Sequence, residues 1–307
     1  MYIDKDNELS REEIEKIITE KLDNLKELEK IAKGSEYIKE LSDIAFLQLE
    51  IEQYEQSEKN FRICLKHFKK QLDRLGQASV LGVLGIFYFK KGEYNESISY
   101  YSQAYEIYKE LRQIQEQITC LLGIGNNLIK LNRLDEACDK FLECSAICSD
   151  NNNIYNLLDC IGNLIHIHEI QEKWDVVFEL YMKSLEAFEK LKDAKGIIVS
   201  YFNMGILRKK SSRYEEAINY FKNGTNIAID SNYTELILKG LSYIGETLFY
   251  QGKLKEAKDE YIKALSLAEK IKSKNSIIQL RVLLNSLGLS EKDIENELKL
   301  YKESRKN

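Results

Sequence analysis

The chain repeats itself every forty residues. Stepping by forty from Ala45 gives Gly85, Gly125, Ile165, Gly205 and Gly245. A second column begins twelve residues later with Ser57 and continues as Ser97, Ala137, Val177, Ala217 and Ala257. A third, four residues further on, reads Phe61, Tyr101, Phe141, Tyr181, Phe221 and Tyr261. These columns stay in register over six copies without an insertion. A chain with such a period is restricted to stacked arrays, in which each unit covers the apolar face of its neighbour.

The residue before the first column is always aliphatic: Ile44, Leu84, Ile124, Leu164, Met204, Ile244. Three residues earlier stand Leu41, Leu81, Leu121, Ile161, Tyr201 and Leu241. That spacing is helical rather than strand-like. Each unit is therefore predicted to open with one helix (residues 36–51, 76–91), to break near Gly92, Asn132, Ser212 or Gly252, and to continue in a second (54–70, 94–110). Ser212-Arg213-Tyr214-Glu215 has the form of a capping box and predicts a helix start there. Glycine inside a helix costs roughly 1 kcal/mol against alanine. Close approach of the second helix, with small residues facing small and one ring filling each layer, is expected to offset it.

The pattern Leu84-Gly85-x-x-Tyr88, then Tyr94-x-x-Ser97-x-x-x-Tyr101-x-x-Ala104, resembles the tetratricopeptide repeat family. The fifth unit repeats it as Met204-Gly205, then Tyr214-x-x-Ala217-x-x-x-Phe221. The resemblance covers residues 36–275. Its period is forty rather than the family's usual 34, and the usual closing proline is missing. The fourth unit departs most, with Ile165, Val177 and Trp174. The resemblance implies an all-α, right-handed α-α superhelix of six helix pairs with terminal capping helices. It also implies polar runs between units, such as Leu191-Lys192-Asp193-Ala194-Lys195-Gly196 and Ser231-Asn232-Tyr233-Thr234. The domains follow as an N-terminal helix in 1–35, six repeats in 36–275 and capping helices in 276–307.

Composition agrees. The 307 residues contain no proline, as nearly continuous helix requires. A net charge of −5 argues against a nucleic-acid surface. The N-terminal Met1-Tyr2-Ile3-Asp4 is not a leader, and no apolar run is long enough to span a bilayer. A cytoplasmic location is expected. The six cysteines include no Cys-x-x-Cys, so they are read as reduced core residues, with Cys120 and Cys160 one repeat apart. No metal and no cofactor are expected. His166 and His168, two apart, do not share a helix face, and no catalytic constellation appears.

Two ends flank the array. Ser10-Arg11-Glu12-Glu13 is a capping box for a helix over 10–33, whose stripe is Ile14, Ile17, Ile18, Leu22, Leu25, Leu28 and Ala32. That stripe suits a cap over the first repeat or a homodimer contact. Ser290 starts a last helix carrying Ile294, Leu298 and Tyr301.

The family resemblance implies an inner groove lined by the first helix of each unit. Carried onto this chain, it assigns peptide contacts to Phe89, Lys90, Asn126, Lys130, Asn163, His166, Asn203, Lys210, Tyr243, Glu246, Phe249 and Tyr250, with Phe46 and Leu49 at the first unit. Asparagine both donates and accepts, which suits a peptide backbone. Lys90, Lys130 and Lys210 serve either an acidic ligand or the C-terminal ends of their own helices. The expected function is a non-enzymatic scaffold or adaptor that binds a protein or peptide, and neither nucleic acid nor membrane. The alternative is a peptide-responsive regulator resembling bacterial secreted-peptide receptors, without a DNA-binding headpiece.

Overall fold

The computed structural model describes residues 9–31 and 34–304. The leader reading of residues 1–8, and Ala32 of the N-terminal stripe, lie outside them. The described residues form fifteen α-helices and no strand. A leading helix, α1 (Arg11–Ile31), is followed by six pairs: α2 (Ser35–Glu50) with α3 (Tyr54–Lys70), α4 (Arg74–Lys91) with α5 (Tyr94–Glu110), α6 (Ile114–Lys130) with α7 (Leu134–Asp150), α8 (Ile154–Ile170) with α9 (Trp174–Leu191), α10 (Ala194–Lys210) with α11 (Tyr214–Asp230), and α12 (Thr234–Tyr250) with α13 (Leu254–Lys270). A shorter pair, α14 (Lys274–Ser286) and α15 (Glu291–Ser304), follows. The chain forms two compact units, residues 1–160 and 161–307.

The backbone beats at twenty residues, half the sequence period. A left-handed residue stands at Glu52, Leu72, Gly92, Arg112, Asn132, Asn152, Glu172, Lys192, Ser212, Asn232, Gly252 and Lys272. At each, the amide N–H of the left-handed residue donates to the carbonyl three residues back, and the next N–H to the carbonyl five residues before it. Leu72 to Lys69 (3.2 Å) and Asp73 to Phe68 (3.0 Å) are one instance. This is the Schellman motif, which satisfies the last carbonyls of the helix. The residue after the left-handed one is already the N-cap of the next helix, as at Asp73, Glu93 and Lys253.

Two expectations change here. The polar runs between units are mostly helix: Leu191 ends α9, Lys192-Asp193 is the turn, and Ala194 begins α10. The turns between units are as short as those within them. Ser212 is no capping residue, because it is itself left-handed, with φ of 57°. Arg213 is the N-cap, without a side-chain bond, and the Glu215 carboxylate accepts instead from Lys253 at 2.8 Å. Side-chain caps do occur at Asp73, which accepts from the Gly76 N–H, and at Asp193, which accepts from Lys195 and Gly196. The Ser10–Glu13 box closes in both directions, and Ser290 forms an equivalent box with Asp293.

The small column faces the small residues twelve positions later and also lies against the ring sixteen positions later, as expected. A Cβ added at Gly85 would sit 2.8 Å from the Tyr101 ring. At Gly125 it would be 2.5 Å from Phe141, at Gly205 2.6 Å from Phe221, and at Gly245 2.6 Å from Tyr261. Each glycine lets the ring sixteen residues later rest on helix backbone. The second column adds a bond: the Ser57 hydroxyl donates to the Ala45 carbonyl and that of Ser97 to the Gly85 carbonyl, both at 2.7 Å and buried. Phe61, Phe141, Phe221 and Tyr261 are almost fully enclosed.

In the first unit each helix from α2 to α6 packs on the next, and in the second each from α9 to α14 does so. First helices of successive pairs also touch, α4 with α6 and α10 with α12. α1 lies on α2. Ile18 is buried there against Ile44 and Ile51, and Lys21 pairs with Glu40 and Asp43 at 3.0 and 3.1 Å. In the second unit α15 lies on α13 and α14, with Ile294 and Leu298 in the core.

Gly125→Leu and Gly205→Leu are expected to lower the melting midpoint, since forcing a side chain against an enclosed ring costs roughly 1–3 kcal/mol. An unchanged midpoint in calorimetry would contradict the ring contact. Leu72→Gly is expected to raise it. Leu72 is 82% exposed, so little packing is lost, and a left-handed non-glycine residue costs roughly 1–2 kcal/mol. The flexibility of glycine in the unfolded chain takes back part of that. A lower midpoint for Leu72→Gly would contradict the reading of the turn.

Candidate functional site

The assigned residues sit on first helices, and their exposure follows the forty-residue rungs. One rung is Ile86, Asn126, His166, Ile206 and Glu246; another, three residues earlier, is Val83, Gly123, Asn163, Asn203 and Tyr243. Asn126 is therefore in register with His166 and Glu246, not with the other two asparagines. Asn126 and His166 are exposed, while Asn163, Asn203 and Tyr243 are half-buried. Leu49 is removed from the assigned set, because it is 1% exposed and belongs to the core of the first unit.

In the first unit, Lys90 and Lys130 are exposed in the last turns of α4 and α6. Lys90 donates to Glu50, one repeat earlier, at 2.8 Å, so its charge is shared between neighbouring first helices. Phe89 is half-buried, with its ring 5.8 Å from that of Tyr94. Next to the exposed Asn126, Asn127 is fully buried and donates to the Gly123 carbonyl at 2.7 Å.

The second unit gathers charge and rings at the end of α10. The Arg208 guanidinium lies 3.7 Å from the centre of the Phe178 ring and 3.1 Å from the Glu216 carboxylate. Lys209 pairs with Glu246 at 2.8 Å, and its ammonium is 5.7 Å from the Tyr250 ring. Lys210 stands 5.1 Å over Trp174. Such cation–ring contacts contribute about 0.5–1 kcal/mol at exposed sites. Trp174 (40%), Phe249 (38%) and Tyr250 (58%) remain exposed. Sequence reasoning named Phe249, Tyr250 and Lys210 but treated Trp174 only as an oddity of its repeat. The signal was available: in the twenty-residue beat, Trp174 opens α9 just as Lys210 closes α10. Tyr243 lies farther along α12, its ring 5.0 Å from Phe221 and 5.6 Å from Phe202. It borders a cleft of about 900 Å³ between α12 and α14, with Leu238, Ser242, Gln279 and Leu283 among its walls.

The cysteines divide into two kinds. Cys64 and Cys120 are buried singly, and burial pushes both thiols up to about 12, so they stay protonated. Cys144, Cys148 and Cys160 are buried together, with all three sulfurs within 4.8 Å of one another. The sequence reading, which set Cys160 beside Cys120, missed this trio. The signal lay in the hairpin offsets. Residues twelve and sixteen apart face each other across a turn, as Ala45 with Ser57 and Gly125 with Phe141. Cys148 and Cys160 are twelve apart, and Cys144 and Cys160 sixteen.

Among the described residues, no helix is long and apolar enough to cross a membrane. The chain is 25% identical over 169 residues to Response regulator aspartate phosphatase I of Bacillus subtilis, covering 53% of this chain and 43% of that protein. It is 23% identical over 215 residues to TPR repeat-containing protein MJ1428 of Methanocaldococcus jannaschii, covering 67% and 35%. It thus spans less than half the length of these curated relatives. Among solved structures, the apo form of RapI shares the fold with a TM-score of 0.52 and 15% identity, over 85% of this chain and 98% of that one. The tetratricopeptide sensor ATPase PH0952 of Pyrococcus horikoshii does so with a TM-score of 0.57 and 13% identity, over 96% and 45%. Tetratricopeptide repeat family profiles match residues 40–110 and 244–271. Together with the paired helices and the glycine–ring columns, these matches show an all-α fold that carries tetratricopeptide repeats over those residues.

Proposed function

We propose that the chain is a non-enzymatic scaffold that binds a peptide or a partner protein on the exposed faces of its first helices. The observation that carries this reading is the end of α10, where Lys209 and Lys210 stand among three exposed rings, Trp174, Phe249 and Tyr250. Rings held in place by cations present apolar area at little entropic cost, and a few such anchors dominate most interfaces. Asn163, Asn203, His166 and Glu246 supply polar contacts in the second unit. Phe89, Lys90, Asn126 and Lys130 offer a corresponding set in the first. The fitting ligand carries an apolar side chain beside an acidic group, which Lys210 or Lys130 receives.

The alternative is a regulator whose shape responds to a peptide, and the likeness to Response regulator aspartate phosphatase I supports a regulatory role only in that general sense. The two readings differ in whether binding moves the helices. Cytoplasmic residence, and pairing of two copies through α1, belong to this proposal as well. The half-buried stripe of α1 already lies on α2, which favours its role as a cap.

Trp174 is the single tryptophan of the chain, so it reports directly on this surface. Peptides captured from a library are expected to shift its emission on titration. Replacing Phe249 and Tyr250 together by Ala should weaken binding at least tenfold, from about 1–2 kcal/mol per anchor. The melting curve should barely move, because both rings are exposed. Unchanged affinity in that variant would refute the anchor surface. Release of phosphate from an aspartyl-phosphate protein by the purified chain would refute the non-enzymatic reading.

A further inference from the structure

We propose that Cys144, Cys148 and Cys160 form a buried three-thiolate site for a soft ion that is satisfied by three sulfur ligands, of the copper(I) or arsenic(III) class. The geometry carries the proposal. Two of the sulfurs come from successive turns of α7 and the third from α8 across the turn, and all three lie within 4.8 Å of one another. With a metal–sulfur bond of about 2.3 Å, a flat three-sulfur site needs sulfur separations of roughly 4 Å. The trio meets that spacing with small side-chain adjustments.

Repeat packing accounts for Cys144 and for Cys160, which stands in a buried column with Val80, Cys120 and Ser200, but not for their meeting a third sulfur. Cys144 stands in the small column with Cys64, and each thiol points to a carbonyl twenty-six residues earlier, Ile118 and Ile38, at 3.8 and 3.7 Å. Cys148 stands in a column that holds rings at Phe68, Tyr108 and Phe188 and alanine at Ala228 and Ala268. Phe68 lies on Gly76 and Phe188 on Gly196. In this layer the ring is replaced by a thiol, the glycine position by Asn156, and the sulfur of Cys160, one turn further along α8, comes within 4.8 Å. Three different columns supply sulfur to the same layer.

The chemistry of the donors selects the ion. Thiolates favour soft ions. A closed zinc site takes four ligands, and among the described residues the ligand group is of three. All three cysteines are fully buried, where net charge is costly. Arsenic(III) with three thiolates is neutral: arsenous acid and three thiols give the trithiolate and three waters. Copper(I) releases one proton to solvent for each thiolate formed and leaves a net charge of −2 on three thiolates, so burial favours arsenic(III) of the two. Neither reaction changes an oxidation state.

The test uses the full, reduced chain under anaerobic conditions, titrated separately with copper(I), arsenite and zinc(II). The expected result is a single equivalent of copper(I) or arsenic(III) bound, a sulfur-to-ion charge-transfer band and a higher melting midpoint. The bound ion should protect Cys144, Cys148 and Cys160, but not Cys138, from alkylation mapped by mass spectrometry. The repeat provides substitutions suited to each column: Cys144→Ala after Ala104, Cys148→Ala after Ala228, and Cys160→Ser after Ser200. Each should fold as the parent does and lower affinity at least a hundredfold, while Cys64→Ala and Cys120→Ala retain binding. Failure of both soft ions to bind, zinc(II) binding more tightly than either, or binding that survives loss of the trio would overturn the proposal. Should a variant fold poorly, the alkylation pattern of the unaltered chain decides alone.

Discussion

The contact on which the array depends is an aromatic ring resting on helix backbone. Tyr101, Phe141, Phe221 and Tyr261 each lie over a glycine sixteen residues earlier. A ring comes closest to the backbone where the Cβ is missing, so the glycine of the second, third, fifth and sixth units sets the distance between the two helices of the pair, while Ala45 and Ile165 take its place in the other two. The rest of the geometry follows. With that distance set, the hydroxyls of Ser57 and Ser97 meet carbonyls of the facing helix, and the aliphatic residues beside the glycines close the layer. The penalty for glycine within a helix is offset by burial of a whole ring.

The second constraint is the uniform turn. Leucine, glutamate, arginine, asparagine, lysine, serine and glycine all occupy its left-handed position. Only glycine, and to a lesser degree asparagine, takes that conformation readily. Packing of the helices therefore imposes the turn, and the local residue yields to it. The turns are alike but the facing residues are not: a ring lies sixteen residues from its glycine within a pair, and eight between pairs at Phe68–Gly76 and Phe188–Gly196. The cysteine trio meets across a junction of the second kind, between α7 and α8.

Periodicity made the helices and the small, aromatic and aliphatic columns legible from sequence. It did not reveal azimuth. Alignment by forty says that Gly125 and Phe141 recur together, but not that the ring rests directly on the glycine backbone. The turn was hidden because its left-handed positions at Leu72, Arg112 and Lys192 carry no turn chemistry. For the same reason Ser212 looked like a cap. On the candidate surface, Asn126, Lys130, Lys210, Phe249 and Tyr250 were legible because they stand on the outward side of a strongly patterned helix. Trp174 was legible only through the twenty-residue beat, since its partner Lys210 belongs to a later helix.

The last pair breaks the beat. α14 is about one turn shorter than its predecessors, and its left-handed residue is Gly288 rather than the residue at 292 that a strict count would give. α15 is consequently drawn onto α13 as well as α14, held by Lys258 to Glu297 and by Lys302 to Glu269, each at 2.6 Å. A solenoid whose final surface copies its internal ones offers a template on which another molecule can stack head to tail, and such heterologous contacts run on into filaments. The missing turn removes the template. The shortened helix thus sets the outer face of α15 apart from the faces that internal pairs offer one another.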